Sequence, residues 1–345
     1  MKENLLMKNK ENESSMIDYL KIEINSISVA ENLIKNKLLD FESTVNNNTG
    51  EVKRQKSVFQ GLTIFIYPKG KILIEGSLHK FRNKGVHNFD DFTFLEVCRI
   101  INKICKMFGF EASKATLHGL EFGVNIRVNQ NPTNVLRMII CYGKDVIQKM
   151  NISAKAEGLQ SVQTNYVVKI YNKSLQYKPE KLDDILRVEQ KILRMRQLRH
   201  LEIYTLRDLT DYCKIERLGG ILFTMFNELV IYEPLDVSAL SKTELKLYEK
   251  AENPRFWEQL SRRMRTHHRQ RFEQMIDRHS KQRVKENIIN LINSKWTELL
   301  KDKFLKENLC NVFTNNLEFK KCNVFTNFLP SSQSEKCNVF TGSIG

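Results

Sequence analysis

Asn165–Arg199, NYVVKIYNKSLQYKPEKLDDILRVEQKILRMRQLR, is the stretch whose reading decides the fold of this chain. It reads as two strands separated by a loop. Side chains alternate across an extended chain, so Val167, Lys169, Tyr171 and Lys173 share one side of the first strand. In the second, Arg187, Glu189 and Lys191 share one side, and Leu186, Val188 and Gln190 the other. A tyrosine flanked by two lysines, facing an arginine and a glutamate, is an odd composition for a half-buried sheet. It suits a phosphodiester: cations for the phosphate, a phenol as nucleophile, and a carboxylate for a proton or a metal. The plainer alternative is a solvated sheet face with an amphipathic tyrosine.

Working outward, residues 16–25 read as a strand. Residues 28–55 are polar and without a clear period, and an Asn48-Thr49-Gly50 turn marks a loop. Val58–Tyr67 and Lys71–His79 read as strands joined at Pro68-Lys69-Gly70, a hairpin signal. Asp90–Phe108 is predicted as a helix, because Phe94, Val97, Cys98, Ile101, Ile104, Cys105 and Phe108 fall at helical spacing and Asp90 or Asp91 can cap it. A second round follows. Lys114–Val128 is a strand with Leu120, Phe122, Val124 and Ile126 on one face and Gly119, Glu121, Gly123 and Asn125 on the other. Pro132–Met150 is predicted as a helix that starts at its proline. After the Tyr171 and Glu189 strands comes a helical region over about 205–229. Two rounds of strand, strand and helix predict an α+β domain: an antiparallel sheet with helices packed on one face.

From Ser241 the chain changes character. Ser241 with Glu244 three residues on is a helix start. Residues 255–285 hold ten Arg or Lys against three acids, Glu258, Glu273 and Asp277. An amphipathic run with Ile288, Ile292, Trp296 and Leu299 closes this basic helical appendage. Its imbalance exceeds what solubility needs, so Arg262, Arg263, Arg265, Arg269 and Arg271 are candidate phosphate contacts; a solvated helix face is the alternative. The tail repeats Cys-Asn-Val-Phe-Thr at 310–314, 322–326 and 337–341. It reads as an unstructured tail without a role, as a peptide bound by a partner, or as iterated DNA elements that happen to be translated.

The 345 residues suffice for one large domain or two ordinary ones, and 41% hydrophobic residues for a core. A net charge of +15 points to a polyanionic partner, nucleic acid before an acidic membrane surface. No apolar run approaches the roughly 20 residues of a membrane span, and the first fifteen residues read as a polar, disordered tail. Of seven cysteines, the first four are isolated in apolar settings and never form C-x-x-C, which argues for reduced thiols in a cytoplasmic protein. P-loop and dinucleotide-binding glycine patterns are absent, so neither ATPase nor helicase activity is expected.

Five segments, taken in order, resemble the rolling-circle replication initiators, the Rep proteins of small plasmids, filamentous phages and some mobile elements. They are Ile17-Asp18-Tyr19-Leu20; Gly76-Ser77-Leu78-His79-Lys80-Phe81 with Asn83 and Asn88; LHGLEFGVNI over 117–126; Ile170-Tyr171-Asn172-Lys173-Ser174-x-Gln176; and Leu186-Arg187-Val188-Glu189. The resemblance covers about residues 16–235 and implies a Rep/relaxase-like nicking domain there. The 1–15 tail precedes it; a basic helical DNA-binding appendage over 236–309 and the repeat tail over 310–345 follow. It implies a metal-dependent, site-specific single-strand endonuclease of a bacterial cytoplasm. That enzyme acts on origin DNA and leaves a 5′-phosphotyrosine and a 3′-OH primer, with host helicase and polymerase as further partners. The competing expectation is a replication protein that binds the origin, recruits host machinery and cuts nothing.

Under this resemblance Tyr171 is the nucleophile, with Tyr177 and Tyr166 as alternatives, and Lys173 contacts the phosphate or leaving group. Lys169 and Arg187 contact DNA. Glu121, Glu189 and His79 are the candidate ligands of Mg²⁺ or Mn²⁺. Each has a plainer reading: a solvent-facing glutamate, an ion pair with Arg187 or Lys173, and a structural histidine. The His-hydrophobic-His pair of many nicking enzymes is missing. His200-Leu201-Glu202 fits it only loosely and His267-His268 is adjacent, which points to a carboxylate-built site.

Overall fold

The structure is a computed structural model and describes residues 16–88, 90–150, 157–175 and 184–301. The first fifteen residues, Gln176, Tyr177 and the three repeats lie outside the described residues. Strand β1 (Ile17–Asn25) leads to α1 (Ile27–Ile34), capped by the Ser26 hydroxyl. Four strands follow: β2 (Glu42–Val45), β3 (Val52–Phe59), β4 (Leu62–Tyr67) and β5 (Lys71–Ser77). Then come α2 (Leu78–Arg82), α3 (Phe94–Phe108) and β6 (Thr116–Arg127). The second half runs through α4 (Pro132–Met138), β7 (Ile139–Tyr142), β8 (Asp145–Val146), β9 (Gln148–Lys149), β10 (Gly158–Val162), β11 (Tyr166–Asn172) and β12 (Ile185–Ile192). The remaining elements are α5 (Tyr212–Asn227), β13 (Leu229–Ile231), α6 (Lys242–Ala251), α7 (Pro254–Gln259), α8 (Arg262–His279) and α9 (Val284–Leu300).

Ten strands form one antiparallel sheet in the order β2-β3-β4-β5-β1-β6-β12-β11-β10-β9. The two halves mirror each other about β1 and β6. Each half starts with a central strand, leaves through a helix, and returns so that its last strand lies against the first. One sheet face is apolar: Leu20, Ile22, Ile64, Ile74, Phe122, Val124, Ile170 and Val188 are buried there, beneath helices α3, α5 and α9. Burying one such side chain is worth about 1.5–3 kcal/mol, so this face dominates the stability. Phe122 meets Trp296 edge-on at 6.3 Å. A Cβ on Gly219 would lie 2.3 Å from the Trp296 ring, so α5 and α9 can approach this closely only with glycine there. A smaller sheet, β13-β7-β8, joins α6, α7 and α8 in a second core around Trp257, Phe272 and Tyr248.

The expected α+β architecture holds: an antiparallel sheet with its helices on one face. Several elements differ. The expected strand 58–67 is a hairpin, folded at Gln60 and Gly61 with both φ positive (47° and 85°). Positive φ twice over is the two-residue turn that suits strand twist, usually written Asn-Gly and here disguised by glutamine. The helix predicted over Pro132–Met150 stops at Met138, because Ile139-Ile140-Cys141-Tyr142 is β-branched and aromatic and pairs with β13. The Asp90–Phe108 helix begins at Phe94 instead, capped by Thr93 and Glu96. The basic helical segment follows the sheet domain as expected, and its α9 places Ile288, Ile292 and Trp296 in the main core. No helix of the described residues is long and apolar enough to cross a membrane.

Candidate functional site

The sheet face away from the helices carries the polar cluster, and register assembles it. Lys169 on β11 pairs with Glu189 on β12, which pairs with Gly123 on β6; one row along, Tyr171 pairs with Arg187, and Arg187 with Asn125. A Cβ on Gly123 would fall 2.5 Å from that of Glu189, so the glycine makes the room the carboxylate fills. The Lys169 ammonium lies 2.9 Å from Glu121 Oε2 and 3.0 Å from Glu189 Oε1. The other Glu189 oxygen accepts from Arg187 Nε at 2.9 Å and from the Tyr171 hydroxyl at 3.4 Å. Arg187 Nη1 donates to Asn125 at 3.3 Å. Tyr171 is half-buried, while Arg187, Glu189 and Asn125 are at most 2% exposed.

Burial opposes the charge of Glu189, but Lys169 and Arg187 outweigh it and hold its carboxyl down at about 2. Glu121 goes the other way. Burial and the charge of Glu189 push it up to about 7, only partly offset by Lys169. Burial and Glu189 also drive the Tyr171 phenol well above its ordinary value, against the pull of Arg187. Lys169 and Arg187 stay charged: burial works against each, and the glutamates overcome it. The phenol is therefore protonated at neutral pH, beside an ionised carboxylate.

A second network borders the first. Irregular pairing between Ile17 and Leu20 carries Asp18 out of the regular ladder. Its carboxylate accepts from Ser77 Oγ and, at 2.8 Å, from Asn88. Lys173, buried just past β11, donates to the Asn88 carbonyl at 3.1 Å. His79 lies in α2, not at the end of a strand as expected, and is fully buried. Its Nε2 lies 2.7 Å from Asp90 Oδ1, and its ring stacks on Phe92 at 5.0 Å. Burial lowers its pKa despite Asp90, so it is neutral.

The cluster thus unites Tyr171, Lys169, Arg187, Glu121 and Glu189. It leaves His79 apart, with Asp90 rather than with the glutamates. Tyr166 bonds the Tyr142 hydroxyl at 3.0 Å and is no part of it. As arranged, the cluster does not fit a divalent ion, because the Lys169 ammonium already stands between Glu121 and Glu189. Among the described residues no group of three His, Cys, Asp or Glu is placed to hold one. Asp18, Asn88 and Asn125 lie in the segments quoted above but were given no site role. Asn125 shares the strand parity of Glu121, which was a usable signal; the Asp18 irregularity left none.

The expected DNA-contacting arginines of α8 divide in two. Arg262, Arg263 and Arg271 are exposed. Arg265 instead bonds the carbonyls of Trp257 and Leu260, and Arg269 binds Glu228, Glu273 and the Asn227 carbonyl. Those two hold the second core together.

No family model and no curated protein matches this chain. Among solved structures, a rolling circle replication initiator protein from Geobacillus stearothermophilus is similar with a TM-score of 0.40 at 13% identity, over 71% of this chain and 93% of that one. At that TM-score the likeness transfers no residue role and no activity.

Proposed function

We propose that this chain is a replication initiator that cuts one strand of its origin DNA through Tyr171. One observation carries the reading: a half-buried tyrosine hydroxyl on a buried carboxylate, boxed by Lys169 and Arg187 on the open face of a sheet. Desolvating four charges costs several kcal/mol per ion, a cost a merely structural sheet face avoids with apolar residues. Three of the ordered Rep-like segments, those that carry Glu121, Tyr171 and Arg187-Val188-Glu189, supply this cluster and lend it further support.

In the proposed reaction Glu189 orients the Tyr171 hydroxyl, the phenol oxygen attacks a backbone phosphorus, and its proton is lost to solvent as the new P–O bond forms. Arg187 offsets the charge that builds on the phosphoryl oxygens. The P–O3′ bond breaks, and the leaving oxygen takes a proton from Lys173. The products are a 5′-phosphotyrosine and a 3′-OH primer. No step is routed through a metal, since Lys169 fills the space between the carboxylates. Helicase and polymerase come from the host under this reading, because the chain carries no nucleotide-binding pattern.

A second reading is a non-catalytic origin-binding protein. It draws on the self-neutralised state of the cluster, in which every charge has a partner and the phenol holds its proton. Incubation with supercoiled DNA carrying the cognate origin separates the two. The first reading expects open circles and a covalent protein–DNA species, both lost in Tyr171→Phe with DNA binding retained. Intact supercoils across a screen of Mg²⁺, Mn²⁺ and chelator, with binding retained, favour the second.

A further inference from the structure

The helix layer carries a groove that neither the nicking chemistry nor the basic run of α8 uses. It is a shallow, open depression between α3 and the chain leaving α1, with the exposed Leu38 and the half-buried Met107 as its apolar lining. Arg99, Asn102, Lys103 and Lys106 line its wall at helical spacing, and all four are exposed. Asn36 closes the other side, pinned by a 3.2 Å bond from its amide to the Met107 carbonyl. Lys35 and Lys37, which flank Asn36 in the chain, are both exposed.

These cations differ from the other basic residues of the fold. Arg99, Lys106, Lys35 and Lys37 enter none of the ion pairs described above, and Lys103 lies over the Phe81 ring at 5.6 Å. The nearest acid of α3, Glu96, is already engaged by Arg82 and by the Thr93 cap. By contrast, Lys21, Lys71, Lys169 and Arg269 each have a carboxylate within about 3 Å. A surface row of cations outside the described ion pairs attracts a polyanion.

We propose that this groove binds the sugar-phosphate backbone of duplex DNA. Arg99 to Lys106 spans about 10 Å of helix, which at about 3.4 Å of rise per phosphate along one strand covers roughly three phosphates. Among the described residues no aromatic ring lines the groove. Single strands are held largely by base stacking on such rings, so the backbone of a duplex is the better fit. Helix α3 packs on the apolar face of the sheet and Tyr171 lies on the other. The duplex held at α3 is thus a different stretch from the strand that meets Tyr171. The proposal rests on the replication reading for its choice of polyanion and not for its geometry.

The test is Arg99→Glu with Lys106→Glu, two exposed positions whose side chains enter none of the hydrogen bonds or ion pairs described. Binding is measured on the full chain carrying Tyr171→Phe, so that no cutting occurs. The probes are a random 30-base-pair duplex and a 30-nucleotide oligothymidylate, each at several salt concentrations. The double variant should bind the duplex at least about tenfold more weakly and lower the slope of log affinity against log salt by about 2. Its oligothymidylate affinity and circular dichroism should not change. Unaltered duplex affinity and slope in the folded variant overturn the proposal. So does an equal loss on both probes, which reports a general charge effect. Because no readout involves cleavage, a failure here is distinct from a failure to nick.

Discussion

The two halves of the large sheet carry lysine–glutamate pairs of nearly equal length on the same face, and only their exposure differs. In the first half Lys21–Glu75 closes at 3.0 Å and Lys71–Glu23 at 2.8 Å, with the lysine side chains 38% and 47% exposed, against 18% for Lys169, and the glutamates 29% and 17% exposed. In the second half Lys169 reaches Glu121 at 2.9 Å and Glu189 at 3.0 Å, with the glutamate side chains 11% and 3% exposed. Water screens the first set, where such pairs are worth about 0–1 kcal/mol. It is largely excluded from the second, where each charge depends on its neighbours. The consequence shows in the titrations: Glu23 is lowered by the hydrogen bonds from Lys71 and Asn25, whereas Glu121 rises to about 7. One mirrored scaffold thus uses the same residue types as surface in one half and as a primed cluster in the other.

Removing the lysine from each half gives the largest contrast. Lys169→Met leaves two carboxylates facing each other in a buried site and should cost about 3–5 kcal/mol. Lys21→Met should cost less than about 1 kcal/mol. Urea unfolding measures both, and equal losses would break the comparison.

Glu121 adds a pH signature. Its folded pKa is raised above the ordinary 4.5, so its contribution to stability is full below pH 4.5 and is lost as pH rises through about 7. Glu189 has the opposite sign: its contribution is present above 4.5 and lost as pH falls through about 2. Between about pH 5 and about pH 8, therefore, the wild type should lose stability relative to Glu121→Gln. A parallel pH dependence in the two proteins would show that Glu121 ionises as an exposed glutamate does.

The smallest effect on folding separates the α8 arginines. Arg262→Glu with Arg263→Glu should leave the melting temperature within a degree or two and lower the salt slope of DNA binding by about 2. Arg269→Glu should lower the melting temperature visibly, because Glu228 and Glu273 lose their cation. A reversed order would place Arg269 on the binding surface and Arg262 in the fold.

Strand alternation made much of this legible. The polar parity of Glu121, Gly123 and Asn125, and of Arg187 and Glu189, could be read from a period of two. Their partnerships could not. That Lys169 stands across from Glu189, and Gly123 beneath it, follows from the order β6-β12-β11, which no local pattern states. Asp18 was hidden because irregular pairing removes a residue from its expected parity. His79 was misplaced because Ser77 caps a helix where the alternation reads on as strand. The basic run of α8 looked uniform in sequence, yet Arg265 and Arg269 are spent on carbonyls and acids that only the tertiary fold brings near.

The central claim is that the buried lysine–glutamate cluster in the second half of the sheet is the reactive one. The most direct test incubates the protein with a single-stranded oligonucleotide of its origin, digests the product with protease and nuclease, and identifies the modified peptide by mass spectrometry. The account predicts a nucleotide remnant linked through phosphate to Tyr171, absent from Glu189→Gln as well as from Tyr171→Phe. An adduct on another tyrosine, or origin cleavage that persists in Tyr171→Phe, would contradict it.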